Sequence, residues 1–304
     1  MYLYDRRLFM SQFQIFSDGA ADIPIKVAND NGIKVIPFYV SLDGQHYQKE
    51  MTELSLDVYY KEFVENHLFP KTSLPSVQDY IDAFAPAIES GKDIICFNIT
   101  STLSGSHQSA NTAGEILKEK FPSAKIFIID SLLATGAQEF LVIEAAKMQR
   151  NGLSIDEVKV NCEKLRQSAR IMFMVGGLEH LQKGGRIGKV GAAAGGILKI
   201  KPLIELKDGE ISLAGITRSR KGGMKKLAEI TKSYFEKTGE KVEDFLFTVG
   251  ETNTPEEITV FQNELKLAMP TIVFEKDFLI GATISAHTGP GTLGVCFMKK
   301  YDRL

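Results

Sequence analysis

Hydroxyl side chains crowd one short stretch of this chain. Thr100, Ser101, Thr102 and Ser104 fall within Ile99 to Asn111, directly after the apolar run Asp93 to Phe97. An apolar run, a polar Ser/Thr/Gly segment and then a helical pattern predict strand, loop and helix. That order places the loop at the carboxyl end of a strand, where open α/β sheets bind ligands. The hydroxyls, Gly105 for close approach and the free N–H groups of the helix start could together receive a small anionic or hydrogen-bonding head group. A Ser-rich loop that only caps a helix is the alternative, but a cap needs a single hydroxyl.

A second segment, Lys71-Thr72-Ser73-Leu74-Pro75-Ser76, precedes a predicted helix. Pro75 biases Leu74 to extended geometry and Ser76 can cap the helix, which leaves Thr72 and Ser73 without a local role. A third, Ile284 to Gly294, contains His287-Thr288-Gly289-Pro290-Gly291. It matches G-x-G-x-x-G literally, yet a dinucleotide loop follows a strand and opens a helix. This one runs into the strand-like Leu293 to Met298. His287 is read instead as a histidine in a Gly-rich turn, able to titrate near neutral pH and donate to an anion. A purely structural histidine is the plainer reading.

Two further segments carry charge. Leu178 to Ile187, followed by Gly188-Lys189, fails as a phosphate loop, because Lys183 and Val190 stand where Gly and Ser or Thr are required. Its glycines are read as structural, and the small residues Gly191 to Gly196 as a closely packed helix. Thr217-Arg218-Ser219-Arg220-Lys221, with Lys225 and Lys226, puts cations in the first turn of a helix. There they oppose the macrodipole. They form either a solvated charged face or a docking surface for an acidic partner or a phosphate.

The elements that must position these groups alternate, in the first half, as βα units. Strands are predicted at Phe13 to Phe16, Ile33 to Leu42 (two, around Pro37), Asp93 to Asn98 and Lys125 to Asp130. Helices are predicted at Ser55 to Asn66, Val77 to Ser90, Gly105 to Lys120 and Ala134 to Arg150. Such alternation argues for a mostly parallel sheet covered by helices. Gly152 suits a helix C-cap, and Ser154 with Glu157 forms a capping box for the next helix. The second half is predicted as mixed α/β. Ile171 to Val175 is a strand, and Leu203 to Leu206 and Ile211 to Gly215 flank the hairpin signal Asp208-Gly209. Helices follow at Lys221 to Phe235 and Glu256 to Ala268, the latter with Thr254 as N-cap and Pro255 in its first turn. Further strands are expected at Phe245 to Val249, Thr271 to Phe274 and Thr292 to Met298. The expected organisation is a disordered extension over 1–12, an N-terminal α/β domain over 13–152 and a C-terminal one over 153–304.

At 304 residues, two domains of about 150 residues each is the starting expectation. The chain is 44% hydrophobic and 24% charged, with a net charge of -2, which gives no support for nucleic-acid binding. Cys96, Cys162 and Cys296 form no C-x-x-C pair and are odd in number, so buried cytosolic thiols are expected rather than disulfides or zinc. No apolar run approaches the roughly 18 residues of a membrane span. Met1 to Phe9 carry charges within and do not read as a secretory signal, and Met10 is a second plausible start. A cytoplasmic protein without cofactor or metal is expected.

Jointly, these segments resemble the DegV family, the fatty-acid-binding proteins that serve bacterial fatty acid kinase. The resemblance runs from about Phe13 to the C-terminus. It rests on Ser17-Asp18 with Asp22, Lys71 to Ser76, Ile99 to Ala110, Asp130-Ser131, Leu178 to Ile187, Lys201-Pro202 and the turn after His287. It implies a two-domain α/β protein that buries one long-chain fatty acid, such as palmitate or oleate, between its domains. It further implies that Thr72, Ser104 and His287 hold the carboxylate, with Ser101, Gly105 and Thr288 supporting. A separate ATP-dependent kinase subunit then phosphorylates the bound carboxylate, and the acyl phosphate enters phospholipid synthesis. By the same resemblance Arg218, and less so Arg220, engage that kinase, and a membrane or acyltransferase is a transient partner. Gly19, Leu74 and His107 depart from the common pattern, where Ser, Gln and Tyr are usual.

Two other functions compete with that of a non-catalytic carrier. One is a lipid hydrolase with Ser104 as nucleophile and His287 as base, although no acidic orienter and no nucleophile elbow can be named. The other is a kinase that phosphorylates the lipid itself.

Overall fold

The computed structural model describes residues 13–194 and 201–304. The expected extension over 1–12, and Gly195 and Gly196 of the small-residue run, lie outside the described residues.

The chain opens with β1 (Phe13–Asp18), a 3-10 turn at Gly19–Ala21, α1 (Ile25–Asp30) and β2 (Ile33–Ile36). Pro37 ends β2, and the chain leaves for a second sheet as β3 (Tyr39–Ser41) and β4 (Gln48–Lys49). Next come α2 (Leu56–Glu65), β5 (Lys71–Ser73), α3 (Val77–Glu89), β6 (Asp93–Asn98) and α4 (Ser106–Lys120). The first half closes with β7 (Ile126–Asp130) and α5 (Thr135–Arg150). The second half holds α6 (Ile155–Ser168), β8 (Arg170–Met174), α7 (Glu179–Lys183), α8 (Gly188–Ala194), β9 (Lys201–Lys207) and β10 (Glu210–Thr217). It ends with α9 (Arg220–Thr238), β11 (Phe245–Glu251), α10 (Glu256–Ala268), β12 (Phe278–Leu279), α11 (Ala282–Thr288) and β13 (Leu293–Lys299).

Three sheets result among the described residues. β2, β1, β6 and β7 lie parallel in that order, and their apolar runs suit a sheet buried on both faces. β10, β9, β8, β13, β11 and β12 make a mixed sheet, antiparallel except for the β11–β12 edge. A small antiparallel sheet, β4-β3-β5, sits apart from both. Its strand β5 is bracketed by Pro70 and Pro75, which lack the N–H needed to extend a ladder. The fold is therefore α/β, with a parallel sheet and a mixed one. The largest apolar cluster runs from Phe13, Ile15 and Phe97 through α5 and α6 to Ile171, Leu206 and Met298.

Local signals hold where the chemistry is local. Ser76 with Asp79 and Ser154 with Glu157 form reciprocal capping boxes. Asp208 and Gly209 take φ of 51° and 85° in the β9–β10 turn, as a type I′ hairpin requires. Cys96, Cys162 and Cys296 are buried free thiols. No helix among the described residues is long and apolar enough to cross a membrane.

Three expectations need correction. Thr254 does not cap α10: Pro255 takes the N-cap position, and the Thr254 hydroxyl is buried without a hydrogen-bond partner among the described residues. Thr271 to Phe274 is not a strand. The chain reaches the free edge of β11 only at Glu275, whose N–H donates to Phe247 O at 2.7 Å, so pairing is confined to β12. Finally, His287 lies in the last turn of α11 rather than in the glycine turn, which begins at Gly289.

Candidate functional site

A cavity of about 240 Å³ is lined by residues of both halves of the chain. Its walls are mostly apolar, with Phe38, Ile99, Ile171, Phe173, Leu206 and Phe278 among them. Thr72, Ser104, His287 and Thr288, four of the residues singled out from sequence, also line it.

Thr72 is placed by β5, where it opposes Val40 of β3. Its Oγ1 lies 2.7 Å from His287 Nε2, across 215 positions of sequence. α11 and the residues leading into it are held against the first half by three further ties. Tyr60 Oη donates to Ile280 O at 2.7 Å, Ser285 Oγ to Tyr59 Oη at 3.1 Å, and Thr283 N and Oγ1 both donate to Glu50. Burial raises the Glu50 carboxyl, and raises that of Asp22, beside the same helix, well above the ordinary range.

Burial, and then the neighbouring Arg186 and His180, push His287 down to about 4. The ring is therefore neutral near pH 7. Its Nδ1 is buried with no hydrogen-bond partner among the described residues. It faces Gly184, where a Cβ would stand 2.2 Å away. Gly184 has an ordinary φ of -74°, so the glycine is required here by space, not by backbone conformation.

Ser104 ends the loop after β6. Ser106 N donates to its Oγ at 3.2 Å, which leaves the Ser104 proton free to point elsewhere. The loop is pinned from below by Asp18. That buried carboxylate accepts from Ile99 N at 2.9 Å, Ser106 Oγ at 2.7 Å and Gln138 Nε2 at 2.9 Å. Burial raises its pKa in spite of these bonds.

The hydroxyls of this loop do not all converge on one ligand. Thr100 Oγ1 donates to Gly209 O at 3.0 Å, and Thr102 Oγ1 donates to the same carbonyl. Both therefore dock the loop onto the β9–β10 hairpin. Ser101 is exposed, its backbone N–H donating to Asp130 at 3.2 Å, and neither it nor Gly105 lines the cavity. Only Ser104 turns inward.

Arg186 is the site residue that sequence reasoning missed, reading its segment as structural. Its Nε donates to Leu103 O at 3.0 Å and its Nη1 to Gly184 O at 2.6 Å, while the side chain lines the cavity. It thus bridges the residue before Ser104 to the residue that abuts His287. One contact chain runs Ser104, Leu103, Arg186, Gly184, His287, Thr72, and it forms a single polar end with a permanent cation. A lone Arg flanked by glycines after a short helix was the signal available in the sequence.

This geometry accompanies a clear relationship. The family model described as "Uncharacterised protein, DegV family" matches residues 12–300. The chain belongs to the DegV family. A DegV domain-containing protein of Clostridium perfringens is 31% identical over 294 residues, 95% of this chain and 98% of that one. Among solved structures, a stearic-acid-binding protein from Eubacterium ventriosum is 36% identical and covers 96% of this DegV chain and 100% of its own, with a TM-score of 0.91. The DegV fatty-acid-binding protein of Bacillus subtilis is 26% identical over 95% of this chain and 100% of its own, with a TM-score of 0.83.

Arg218 and Arg220, the other residues singled out, do not line the cavity, and they differ in state. Arg220 Nε donates to both Glu257 oxygens, at 3.0 and 2.9 Å, and its Nη1 donates to Gly291 O. Such a bidentate pair commits the guanidinium, so Arg220 braces α9 against α10 and the glycine turn. Its reading as a docking residue stays a proposal beside that bracing role. Arg218 is exposed and makes no ion pair among the described residues.

Proposed function

We propose that this protein binds one long-chain fatty acid between an N-terminal domain (13–152) and a C-terminal domain (153–304). It presents the carboxylate to a separate ATP-dependent fatty acid kinase in the cytoplasm. The acyl phosphate then serves phospholipid synthesis, with transient contact at a membrane or an acyltransferase. The observation that carries the reading is the apolar cavity with one polar end, joined by contact from Ser104 through Arg186 to His287 and Thr72. The stearic-acid-binding relative supports the ligand class.

The chemistry follows from the protons. In the tautomer that carries its proton on Nε2, His287 donates to Thr72 Oγ1 and frees the Thr72 hydroxyl to donate to the carboxylate. Ser104, its oxygen already occupied by Ser106 N, supplies the second donor. Arg186 supplies the charge that a buried anion needs. Burying the roughly 14 methylenes of a C16 tail at about 0.8 kcal/mol each supplies near 11 kcal/mol before association costs.

The carrier has no catalysis of its own in this reading. A serine hydrolase needs its base oriented by a third group. Here His287 Nδ1 faces Gly184 and meets no carboxylate among the described residues, and Nε2 is engaged by Thr72 rather than Ser104.

Purified protein is expected to release about one fatty acid per chain on denaturing extraction, read by mass spectrometry. Extraction without any acyl chain, together with no binding of added palmitate or oleate, would falsify the reading. The carrier's second half is tested at Arg218. Arg218→Ala is expected to keep fatty-acid affinity and to lose acyl-phosphate formation with a reconstituted kinase, and the wild-type reaction to slow as salt rises. Unchanged phosphorylation assigns Arg218 to a solvated face; lost lipid binding assigns it to the cavity.

A further inference from the structure

The floor of the cavity is a groove laid across the six-stranded sheet. Register sets Leu213, Ile204, Phe173, Gly294, Gly250 and Phe278 opposite one another on β10, β9, β8, β13, β11 and β12. Opposed residues share a face, so this row crosses every strand. Phe173, Gly294, Gly250 and Phe278 line the cavity. Two adjacent glycines thus lie between two phenylalanines.

Gly294 lets the Phe173 strand approach closely, and the Phe278 ring leans over Gly250. A Cβ on Gly294 would stand 2.6 Å from Phe173 Cβ, and one on Gly250 would stand 2.5 Å from Phe278 Cζ. On its other side the Phe278 ring meets Gly136 of α5, where a Cβ would stand 2.7 Å from Cε1. The ring therefore fills a notch that exists only because positions 136 and 250 lack side chains. Phe278 also sits on β12, the two-residue edge of the sheet. The opposite edge, through the β9–β10 turn, touches the loop that carries Ser104. Beyond Phe278 the sheet offers the groove no further floor.

We propose that Phe278 is the stop for the acyl tail and sets the chain length this protein accepts. The inference rests on the fatty-acid reading of the cavity. With the ring seated in the Gly136–Gly250 notch, the groove ends at its face. Removing the ring opens the notch to the last carbons of a longer chain. A methyl on Gly250 lifts the ring into the groove and shortens it.

The test ranks laurate, myristate, palmitate, stearate, arachidate and behenate by displacement of a fluorescent fatty acid from delipidated full-length protein. Two extra methylenes under apolar cover correspond to about tenfold in affinity. Phe278→Ala is expected to raise the stearate-to-palmitate affinity ratio, a two-methylene difference, by about that factor. Gly250→Ala is expected to move the preference toward myristate and laurate. Phe278→Leu, which keeps an apolar side chain, gives a smaller shift in the same direction and carries the test if the alanine variant does not fold. A length ranking identical to wild type in the Phe278 variants overturns the proposal. Wild-type protein that binds none of the acids overturns the fatty-acid reading itself, a distinguishable result.

Discussion

Ser104→Ala and His287→Ala are each expected to weaken fatty-acid binding by about 1.5–3 kcal/mol, or roughly ten- to 150-fold. The size follows from charge. A buried carboxylate that loses a hydrogen bond keeps its desolvation cost and forfeits the compensation. Ser104 is the one hydroxyl of its loop that lines the cavity, so no neighbour replaces it. His287 acts through Thr72, 2.7 Å away. Without the imidazole, the Thr72 hydroxyl loses the partner that directs its proton at the ligand. Ser101→Ala is the internal control: Ser101 is exposed and outside the cavity lining, so affinity should not change. Calorimetric titration with palmitate checks all three. Wild-type affinity in both the Ser104 and His287 variants would move the head-group site elsewhere.

Gly184→Ala is expected to cost about as much as His287→Ala without a ligand contact being touched. The backbone at Gly184 is one that alanine adopts freely, so folding should survive. The new Cβ would stand 2.2 Å from His287 Nδ1 and 3.0 Å from His180 O. The ring is the softer neighbour and must turn, which breaks its bond to Thr72. Residues acting through one contact are not additive. The Gly184→Ala/His287→Ala double variant should therefore bind no worse than His287→Ala alone. Binding by Gly184→Ala at wild-type strength, or full additivity in the double variant, overturns the steric account.

The part of the fold that was legible in the sequence is the part decided within a few residues. The Ser76 cap, the capping box at Ser154 and the Asp208-Gly209 hairpin follow from hydrogen bonds and φ angles local to each segment. The parallel sheet follows from apolar runs alternating with helical patterns. The same local rules misled where a distant element intervened. The glycines after His287 look like its surroundings in sequence, yet Glu50, Tyr59 and Tyr60 hold the preceding residues as a helix. Arg220 looks like an uncompensated cation at a helix start until α10 brings Glu257 to it.

The candidate site divides in the same way. By itself the sequence determined which residues local structure leaves unused. These are Thr72 and Ser73 outside their cap, the surplus hydroxyls before α4 and a histidine beside glycines. It also carried the family resemblance that joined Thr72, Ser104 and His287. Only the tertiary structure decided which hydroxyls face inward. Thr100 and Thr102 are spent on Gly209 O, and Ser101 turns to solvent. Only the tertiary structure showed Arg186 closing the polar end and Phe278 lying in a notch of two glycines. The reason is physical. A side chain's need for a partner is written in its own chemistry, but which partner meets it depends on atoms up to 215 positions away, brought there by sheet register and packing.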